Sequence, residues 1–400
     1  MTHSAPPTAT PSLFVRGDDQ LRLLDQAKKL HPLIAEHMAG NDERGRLADE
    51  VIDELHDAGI FGMWLPCDLG GFELPPIESL ELMESLAYSD PATAWVVMAI
   101  ALATGSAGAY LDSEASTKLF SAKRIPTIAG QGTRPGKAVP VDGGYLLSGE
   151  WNFASGIKHA THIHTAAIVE GTSEMLIFIL PTEQATLVDN WDVMGLRATG
   201  SLDYSIDEVF VPSIYTHRVT ETVPVTGGSL FSLGISNFAL IAHSAWAVGV
   251  ARRLLDELAA QAQSRKGRAG QFSSSDSFHE QYAQAEALWH GARAFVFEQW
   301  KILEKTVERG YTPSVREDTL RRLAMTNATE VLHKIAAFVY KSAGTSALRS
   351  GVIQTIFRDA HAGTQHASSS PAVVQNLGRE LAGLADGSHW VFFQLVENDA

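Results

Sequence analysis

Apolar side chains recur at helical spacing through the first third of the chain. In one stretch they fall at positions i, i+4 and i+7, and a glycine follows where such a helix would end. These positions are Val51, Leu55, Ala58 and Gly59. Pro75-Pro76 can open a further helix, because proline is tolerated in the first helical turn. The pattern predicts a flexible tail over residues 1–18 and an N-terminal helical domain over residues 19–125.

The pattern changes in the middle of the chain, over residues 126–228. Short β-branched and aromatic runs alternate there with Gly, Asp, Asn and Pro. The runs are Tyr145–Phe153, Thr161–Val169, Met175–Leu180 and Leu202–Val211. Strands this short and this evenly spaced are typical of a small antiparallel barrel or sandwich. We therefore expect a middle β-domain.

Helical spacing returns at residue 229, and we expect it to persist to the C-terminus. One apolar stripe runs from Tyr282 to Gln299 and another from Leu320 to Phe338, while the Ser- and Gly-rich Ser264–Ser277 reads as a loop. Long helices without membrane-like hydrophobicity usually pack as an antiparallel bundle. Residues 229–400 are therefore predicted to form a C-terminal helical bundle. The fold class is α+β, mostly α.

Composition narrows the class of protein. Of 400 residues, 45% are hydrophobic and 19% charged, as in ordinary globular proteins, and the net charge of −15 disfavours nucleic acid or an anionic membrane as partner. The single cysteine, Cys67, excludes an internal disulfide and suits a cytoplasmic location. The longest apolar runs, Ala92–Ala103 and Phe238–Ala251, are too short or too interrupted for a membrane span. We expect no membrane partner.

Three histidines in the middle segment raise the question of a metal site. They are His159, His162 and His164. On a strand the last two would share a face, but no carboxylate stands at a fixed spacing from them. Polar positions on a strand are the favoured interpretation, and we predict no metal.

Four local segments follow one another in an order that is typical of a known protein family. They are Pro66–Gly71, Gly149–Gly156 (GEWNFASG), Val193–Ser201 (VMGLRATGS) and Arg358-Asp359-Ala360. Together with the order helices, β-domain, helical bundle, they resemble the acyl-CoA dehydrogenase superfamily. The resemblance implies that superfamily's fold, with an N-terminal helical domain, a middle β-barrel or sandwich and a C-terminal helical bundle. It also implies a homotetramer.

Two departures from the superfamily pattern concern chemistry. The glutamate that serves as base in common acyl-CoA dehydrogenases corresponds here to Ala367, followed by Ser368-Ser369-Ser370. Abstraction of an α-proton needs a positioned carboxylate, which alanine cannot supply. The residue before it, His366, resembles the branch of two-component flavin monooxygenases. The segment Ala129–Gly136 also lacks the acidic residues of the dehydrogenase loop, which makes a CoA thioester substrate less expected.

The resemblance to this branch implies the oxygenase component of a two-component flavin monooxygenase. Such a protein takes reduced FAD or FMN from a separate NAD(P)H-dependent flavin reductase. With O2 it hydroxylates a small aromatic or heteroaromatic compound, for which an indole or phenol acid such as indole-3-acetate is one example. An FAD-dependent acyl-CoA dehydrogenase with a relocated base is the alternative. A catalytically silent assembly subunit is a third hypothesis from a different class.

The resemblance also implies roles for particular residues. His366 would handle a proton of the substrate, since a histidine can gain or lose a proton near neutral pH, and Ser155 would donate a hydrogen bond to flavin N5. Further candidate cofactor-binding residues are Gln131, Gly132, Phe153, Arg268, Gly344 and Thr345. Trp95 and Met98 are candidates for the substrate pocket. His361 would face another way on a helix and is predicted to be structural.

Each candidate has a purely structural alternative. His366 could be a helix-end histidine bonded to a carbonyl, and Ser155 could satisfy its own turn. Phe153 could belong to the β-domain core. Large apolar residues such as Trp95 and Met98 usually pack in a core. Arg268 could lie in a solvated basic loop, and Gly344-Thr345 could be a helix break.

Overall fold

The N-terminal part of the protein consists of six helices. A computed structural model describes residues 13–14, 17–266 and 272–397. The helices are α1 (Asp18–Lys29), α2 (His31–Arg44), α3 (Asp49–Asp57), α4 (Pro76–Ser89), α5 (Pro91–Tyr110) and α6 (Ser113–Leu119). Gly59 follows α3 in the left-handed conformation, with φ +78°, which glycine adopts without strain. The Asp90 side chain accepts the Thr93 N–H at 3.0 Å and caps α5.

Helix α5 is buried along nearly its whole length. It carries Trp95 and Met98, which are 9% and 4% exposed. Two helical segments, Pro91–Tyr110 and Ser229–Ser264, are long and apolar enough to span a membrane. Of the residues in their apolar windows, however, 89% and 83% lie inside the protein. Both segments therefore serve as core helices of this fold.

A seven-stranded sheet follows the first helices. The strands are β1 (Ile128–Val141), β2 (Gly144–Ala154), β3 (His162–Val169), β4 (Met175–Pro181), β5 (Thr186–Val188), β6 (Leu202–Pro212) and β7 (Thr216–Arg218). Their order across the sheet is β5-β6-β2-β1-β3-β4-β7. The four predicted runs correspond to β2, β3, β4 and β6, which confirms them. Strand β1 has several Gly and Pro residues and gave no strand signal in the sequence.

The expectation of a purely antiparallel arrangement is wrong at the centre of this sheet. Strands β1 and β3 pair in parallel, and their register shifts between Gln131 and Gly136. A bulge of this kind removes residues from regular pairing and redirects their side chains. Here it lies where β1 meets the cavity described below.

Five α-helices and a hairpin make up the rest of the chain, as far as it is described. The elements are α7 (Gly234–Ser264), α8 (Asp276–Glu308), α9 (Val315–Ala343), α10 (Val352–Gly363), α11 (Pro371–Leu381), β8 (Ser388–Val391) and β9 (Gln394–Glu397). The predicted bundle is therefore present, but helical structure does not persist to the C-terminus. Trp390 and Leu395 of the hairpin bury against Val373 and Leu377 of α11, forming a small separate core. Alternating burial along β8 accounts for a strand there.

The fold as a whole is the predicted α+β class with helices before and after a sheet. Helix α7 packs against α4 and α9, so that the large core continues from the N-terminal helices into the bundle. The sheet has its own core around Trp151 and Tyr204, whose rings stack at 5.2 Å. Domain boundaries at residues 125 and 228 remain our prediction.

Candidate active site

A cavity of about 650 Å³ lies where α5, the sheet, α7, the end of α10 and the C-terminal hairpin meet. Its volume is within the range of about 300–1,000 Å³ that is typical of small-molecule sites. Its apolar lining includes Trp95, Met98, Ile235 and Phe393. Among the described residues that line it there is no Asp, Glu or Lys, and Arg134 is the one cationic side chain.

His366 lies at the C-terminal end of α10, against a second histidine. The ring centroids of His366 and His243 are 4.0 Å apart, with an angle of 32° between the rings. Trp95 contacts both rings edge-on, at 5.1 Å from His243 and 5.9 Å from His366. The three side chains come from α5, α7 and the turn after α10. The three side chains are therefore brought together by the packing of helices and not by a local sequence motif.

The hydrogen bonds of His366 define its tautomer. Its Nδ1 accepts the backbone N–H of Ser368 at 3.3 Å and lies 2.8 Å from the Ser368 Oγ. An acceptor nitrogen carries no hydrogen in the neutral ring, so that the hydrogen is on Nε2. His366 thus offers an N–H donor, and its structural alternative, a bond to a backbone carbonyl, is not what the structure shows.

Both imidazoles are neutral at physiological pH. Burial lowers the pKa of His366 to about 4, because the charged form loses its hydration. Burial, and then the charge of a protonated His366, lower the pKa of His243 well below its usual value. Two stacked rings cannot both be protonated in an apolar cavity. The pair is therefore a neutral polar patch on an otherwise apolar wall.

On the sheet side of the cavity, Ser155 belongs to a chain of hydroxyl groups. Its Oγ accepts the indole N–H of Trp95 at 3.1 Å and lies 2.7 Å from the Ser201 Oγ. The Ser201 Oγ is in turn 2.6 Å from the Thr199 Oγ1, which donates to the Leu196 carbonyl at 2.7 Å. Ser155 therefore makes contacts beyond its own turn, and it lines the cavity.

Phe153 and Trp191 form an aromatic corner of the cavity. The Phe153 side chain is 60% exposed, and its backbone has φ +61°, which is unusual for a bulky residue. The Trp191 ring meets it edge-on at 6.0 Å, and the Trp191 indole N–H donates to the Leu196 carbonyl at 3.1 Å. The Phe153 ring therefore lines the cavity and is not part of the β-domain core.

Gln131 and Gly132 line the same cavity from the bulge of β1. The Gln131 side chain donates to the Asn152 carbonyl at 3.2 Å, and its backbone N–H donates to the Tyr204 hydroxyl at 3.3 Å. His164, behind them, is buried, and no hydrogen-bond partner is present for its Nε2 in the described part of the chain. Burial, reinforced by His217, lowers the pKa of His164 to about 3.

Seven of the predicted site residues therefore meet at one cavity. They are Trp95, Met98, Gln131, Gly132, Phe153, Ser155 and His366. Gly344 and Thr345 lie elsewhere, in a 3-10 turn after α9, where Gly344 has φ +62°. Arg268 is outside the described residues. The functional roles of all these residues remain predictions.

Several residues of the cavity were not predicted as site residues, although Thr199 and Ser201 belong to the Val193–Ser201 segment that carried the resemblance. They are Trp191, Thr199, Ser201, His243, Phe392 and Phe393. Phe392 and Phe393 stand at the turn of a hairpin that the sequence did not reveal. His243 stands in an apolar segment, where a lone histidine is a weak signal that could have drawn attention to it. His361 lies outside the lining, and its Nδ1 is 2.9 Å from the Phe357 carbonyl.

The Arg358-Asp359 motif joins α10 to the Val193–Ser201 loop. The buried Asp359 carboxyl accepts the Leu196 N–H at 2.6 Å, and Arg358 donates to the Met194 carbonyl at 3.0 Å. Arg358 also pairs with Asp42 at 2.8 Å. Asp359 does not line the cavity and therefore supplies no base to it. The motif instead holds the Val193–Ser201 loop in place beside the cavity.

Within the described ranges, no group of three or more His, Cys, Asp or Glu side chains could hold a metal ion. Among the described histidines of the middle segment, the His162 Nδ1 lies 3.0 Å from the Thr161 hydroxyl.

Two family models match the chain on either side of the sheet. The acyl-CoA dehydrogenase N-terminal domain matches residues 18–115, and the acyl-CoA dehydrogenase C-terminal domain matches residues 241–371. Together they cover more than half of the chain. The chain therefore belongs to the acyl-CoA dehydrogenase superfamily, as its motifs indicated.

Similar proteins with a stated activity identify the branch. Indole-3-acetate monooxygenase from Pseudomonas putida is 27% identical, over 86% of this chain and 89% of that protein. The flavin-dependent monooxygenase oxygenase subunit HsaA from Mycobacterium tuberculosis is 26% identical, over 89% of this chain and 94% of the subunit. Within its superfamily, the chain is a flavin-dependent monooxygenase.

Solved structures agree on the fold. The HsaA monooxygenase from M. tuberculosis has a TM-score of 0.83 at 24% identity, covering 92% of this chain and 98% of that one. XiaF from Streptomyces sp., in complex with FADH2 and glycerol, has a TM-score of 0.82 at 20% identity, covering 91% and 96%. The predicted superfamily fold is confirmed.

Proposed function

We propose that the protein is the oxygenase component of a two-component flavin monooxygenase that hydroxylates a small aromatic or heteroaromatic compound. Reduced FAD or FMN comes from a separate NAD(P)H-dependent reductase, and O2 is the co-substrate. The observation that carries this proposal is a cavity with a stacked pair of neutral histidines, His243 and His366, and no carboxylate in its described lining. Support for a partner reductase comes from the similar protein HsaA, which is named as an oxygenase subunit.

The absence of a lining carboxylate weighs against dehydrogenation of an acyl thioester. That reaction needs a general base beside the α-carbon, and Ala367 occupies the position of the superfamily's glutamate. A relocated base would have to line the cavity, and among the described lining residues no Asp or Glu does so. Asp359 is close in sequence, but it is buried and bonded to the Leu196 N–H.

The sheet side of the cavity fits a flavin ring. A flavin needs a flat apolar face and polar groups at the ring edge, and this wall offers the Phe153 ring, the Ser155 hydroxyl and the Gln131 amide. Bound there, reduced flavin supplies the electrons that activate O2. The exposed Phe153 ring, held at positive φ, would pack against the ring system.

The helix side of the cavity fits the substrate. Trp95 and Met98 of α5, with Phe393 of the hairpin, form an apolar wall that excludes water from the reacting atoms. The His366 Nε2–H would donate a hydrogen bond to an oxygen or bare nitrogen of an aromatic substrate and so orient its ring. The apolar wall suits a planar aromatic better than an acyl-CoA, whose phosphates and adenosine need several cations.

The test is a coupled assay with a generic flavin reductase, NADH, O2 and a panel of phenols and indoles. Hydroxylated product that depends on both proteins supports the proposal, and a preparation that purifies nearly colourless agrees with loosely held flavin. Turnover of an acyl-CoA with a dye acceptor would establish the dehydrogenase instead. Silence in both assays would favour a catalytically silent assembly subunit. A homotetramer and a cytoplasmic location remain part of the proposal.

A further inference from the structure

We propose that His243 is a second substrate-binding residue, and that His243 and His366 together hold one neutral hydroxyl group of a phenolic substrate. This inference rests on the proposed function, because it assumes an aromatic substrate. The new elements are the chemical group that the cavity binds, a phenolic hydroxyl, and the role of His243 in binding it together with His366.

The position of His243 is unusual for a core histidine. It lies on α7 within a segment of buried apolar residues and is 8% exposed, with its accessible part in the cavity lining. Within the described chain, neither of its ring nitrogens makes a hydrogen bond; its contacts are the rings of His366 and Trp95. Its ring nitrogens are not among the enclosed polar atoms that lack a partner, so they are open to the cavity, where a ligand can supply a hydrogen-bond partner.

The two imidazoles can divide the roles of donor and acceptor. Because the Ser368 N–H donates to the His366 Nδ1, the His366 Nε2–H is a donor towards the cavity. A neutral His243 carries one hydrogen and therefore also one bare nitrogen. A phenolic hydroxyl can accept from the His366 Nε2–H and donate to the bare nitrogen of His243, so that one hydroxyl group bonds to both rings.

Other polar groups of a substrate would bond to only one of the two rings, His243 or His366. An indole N–H can donate to His243 but accepts nothing from His366, and a methyl ether accepts from His366 but donates nothing. A carboxylate would face two neutral rings, whose protonated forms are disfavoured by burial. The pair therefore favours a phenol over these groups.

Packing fixes the two rings before a ligand arrives. Trp95 lies edge-on to both, and its own indole N–H is held by the Ser155 hydroxyl at 3.1 Å. The Trp246 ring lies nearly perpendicular to the Trp95 ring at 5.0 Å, and the Trp246 indole N–H donates to the Pro91 carbonyl at 2.9 Å. A site whose side chains are already positioned loses little entropy on binding.

The experiment compares the binding of p-cresol, 4-methylanisole and indole to the flavin-free protein by calorimetry. We expect p-cresol to bind about 2- to 10-fold more tightly than either of the others, the value of one neutral hydrogen bond. His243→Phe should abolish this preference while leaving the affinity for 4-methylanisole unchanged. His243→Asn keeps a polar acceptor and should restore part of it.

His361→Phe is the matched control, because His361 also stacks on neighbouring rings but lies outside the lining. It should keep the preference of the unmodified protein. Equal binding of p-cresol and 4-methylanisole, an unchanged preference in His243→Phe, or no binding of any probe at millimolar concentration would overturn the proposal. A phenol preference in a protein that hydroxylates nothing would instead refute the proposed function alone.

Discussion

The Ser155 and Ser201 hydroxyl oxygens are 2.7 Å apart, and the direction of the hydrogen bond between them follows from Thr199. The Thr199 hydroxyl donates to the Leu196 carbonyl, so that Ser201 must donate to Thr199 and Ser155 to Ser201. In this arrangement the Ser155 hydrogen is already engaged. Donation to a flavin requires Ser155 to turn away from Ser201.

This relationship predicts different outcomes for two serine variants. Ser155→Ala should weaken binding of reduced flavin by about 2- to 10-fold, and it leaves the Trp95 N–H without its acceptor, at a cost of about 1–3 kcal/mol in stability. Ser201→Ala frees the Ser155 hydrogen and should leave flavin affinity within about twofold. Fluorescence titration and thermal unfolding measure both quantities. Equal losses of flavin affinity in the two variants would contradict the assigned direction.

Replacement of His366 should separate oxygen consumption from hydroxylation. His366→Ala removes the donor towards the substrate, so that product formation should fall about 100-fold or more while NADH oxidation continues and releases hydrogen peroxide. The measurement is product formed per NADH consumed, with oligomeric state checked by light scattering. His361→Ala, outside the cavity, should retain the ratio of the unmodified protein. An unchanged ratio in His366→Ala would return His366 to a structural role.

Asp359 should make the protein more stable at pH 5 than at pH 8. Burial, and then the neighbouring Asp90, raise the pKa of this carboxyl to about 8. Between about pH 4 and pH 8 the folded state therefore binds a proton that the unfolded state has released, so that stability falls as pH rises through this window. Asp359→Asn keeps an oxygen for the Leu196 N–H and should flatten that part of the profile.

Thermal unfolding at several pH values measures the effect of Asp359→Asn. The variant should match the unmodified protein at about pH 4 and exceed it at pH 8. Asp142→Asn, at an exposed turn, is the control and should leave the profile unchanged. A profile that keeps its full slope in Asp359→Asn would show that another group is responsible.

The C-terminal hairpin should set the size of the substrate. The Phe393 ring meets His366 edge-on at 6.1 Å, and buried Arg322 holds the hairpin by donating to the Phe392 carbonyl at 3.0 Å. Phe393→Ala should raise KM for a small phenol by about 2- to 10-fold, the value of one aromatic contact, and admit bulkier rings. Val396→Ala, on the exposed side of β9, should leave KM unchanged. Identical substrate ranges for both variants would contradict this role.

The sequence predicted the features that depend on local patterns. The helix end at Gly59 and four of the strands follow from residue type and spacing within a few positions. Four segments in order indicated the superfamily, and the structure joins two of them, since Arg358 and Asp359 bond to the Val193–Ser201 loop.

The remaining features depend on contacts between segments distant in the chain. The parallel pairing of β1 with β3 is decided by the sheet as a whole, and the hairpin is stabilised by burial of Trp390 against α11. His243 meets His366 through the packing of α7 against α10, more than a hundred residues apart. No spacing along the sequence encodes that contact.

The most direct test of the central claim is hydroxylation under ¹⁸O2 with reduced flavin supplied by a reductase. A monooxygenase places one atom of O2 in the product and the other in water, while reduced flavin is oxidised. Mass spectrometry should show one ¹⁸O atom in the hydroxylated aromatic product, with little product formed by His366→Ala. Product oxygen derived from water, or oxidation of an acyl-CoA in place of any hydroxylation, would contradict the account.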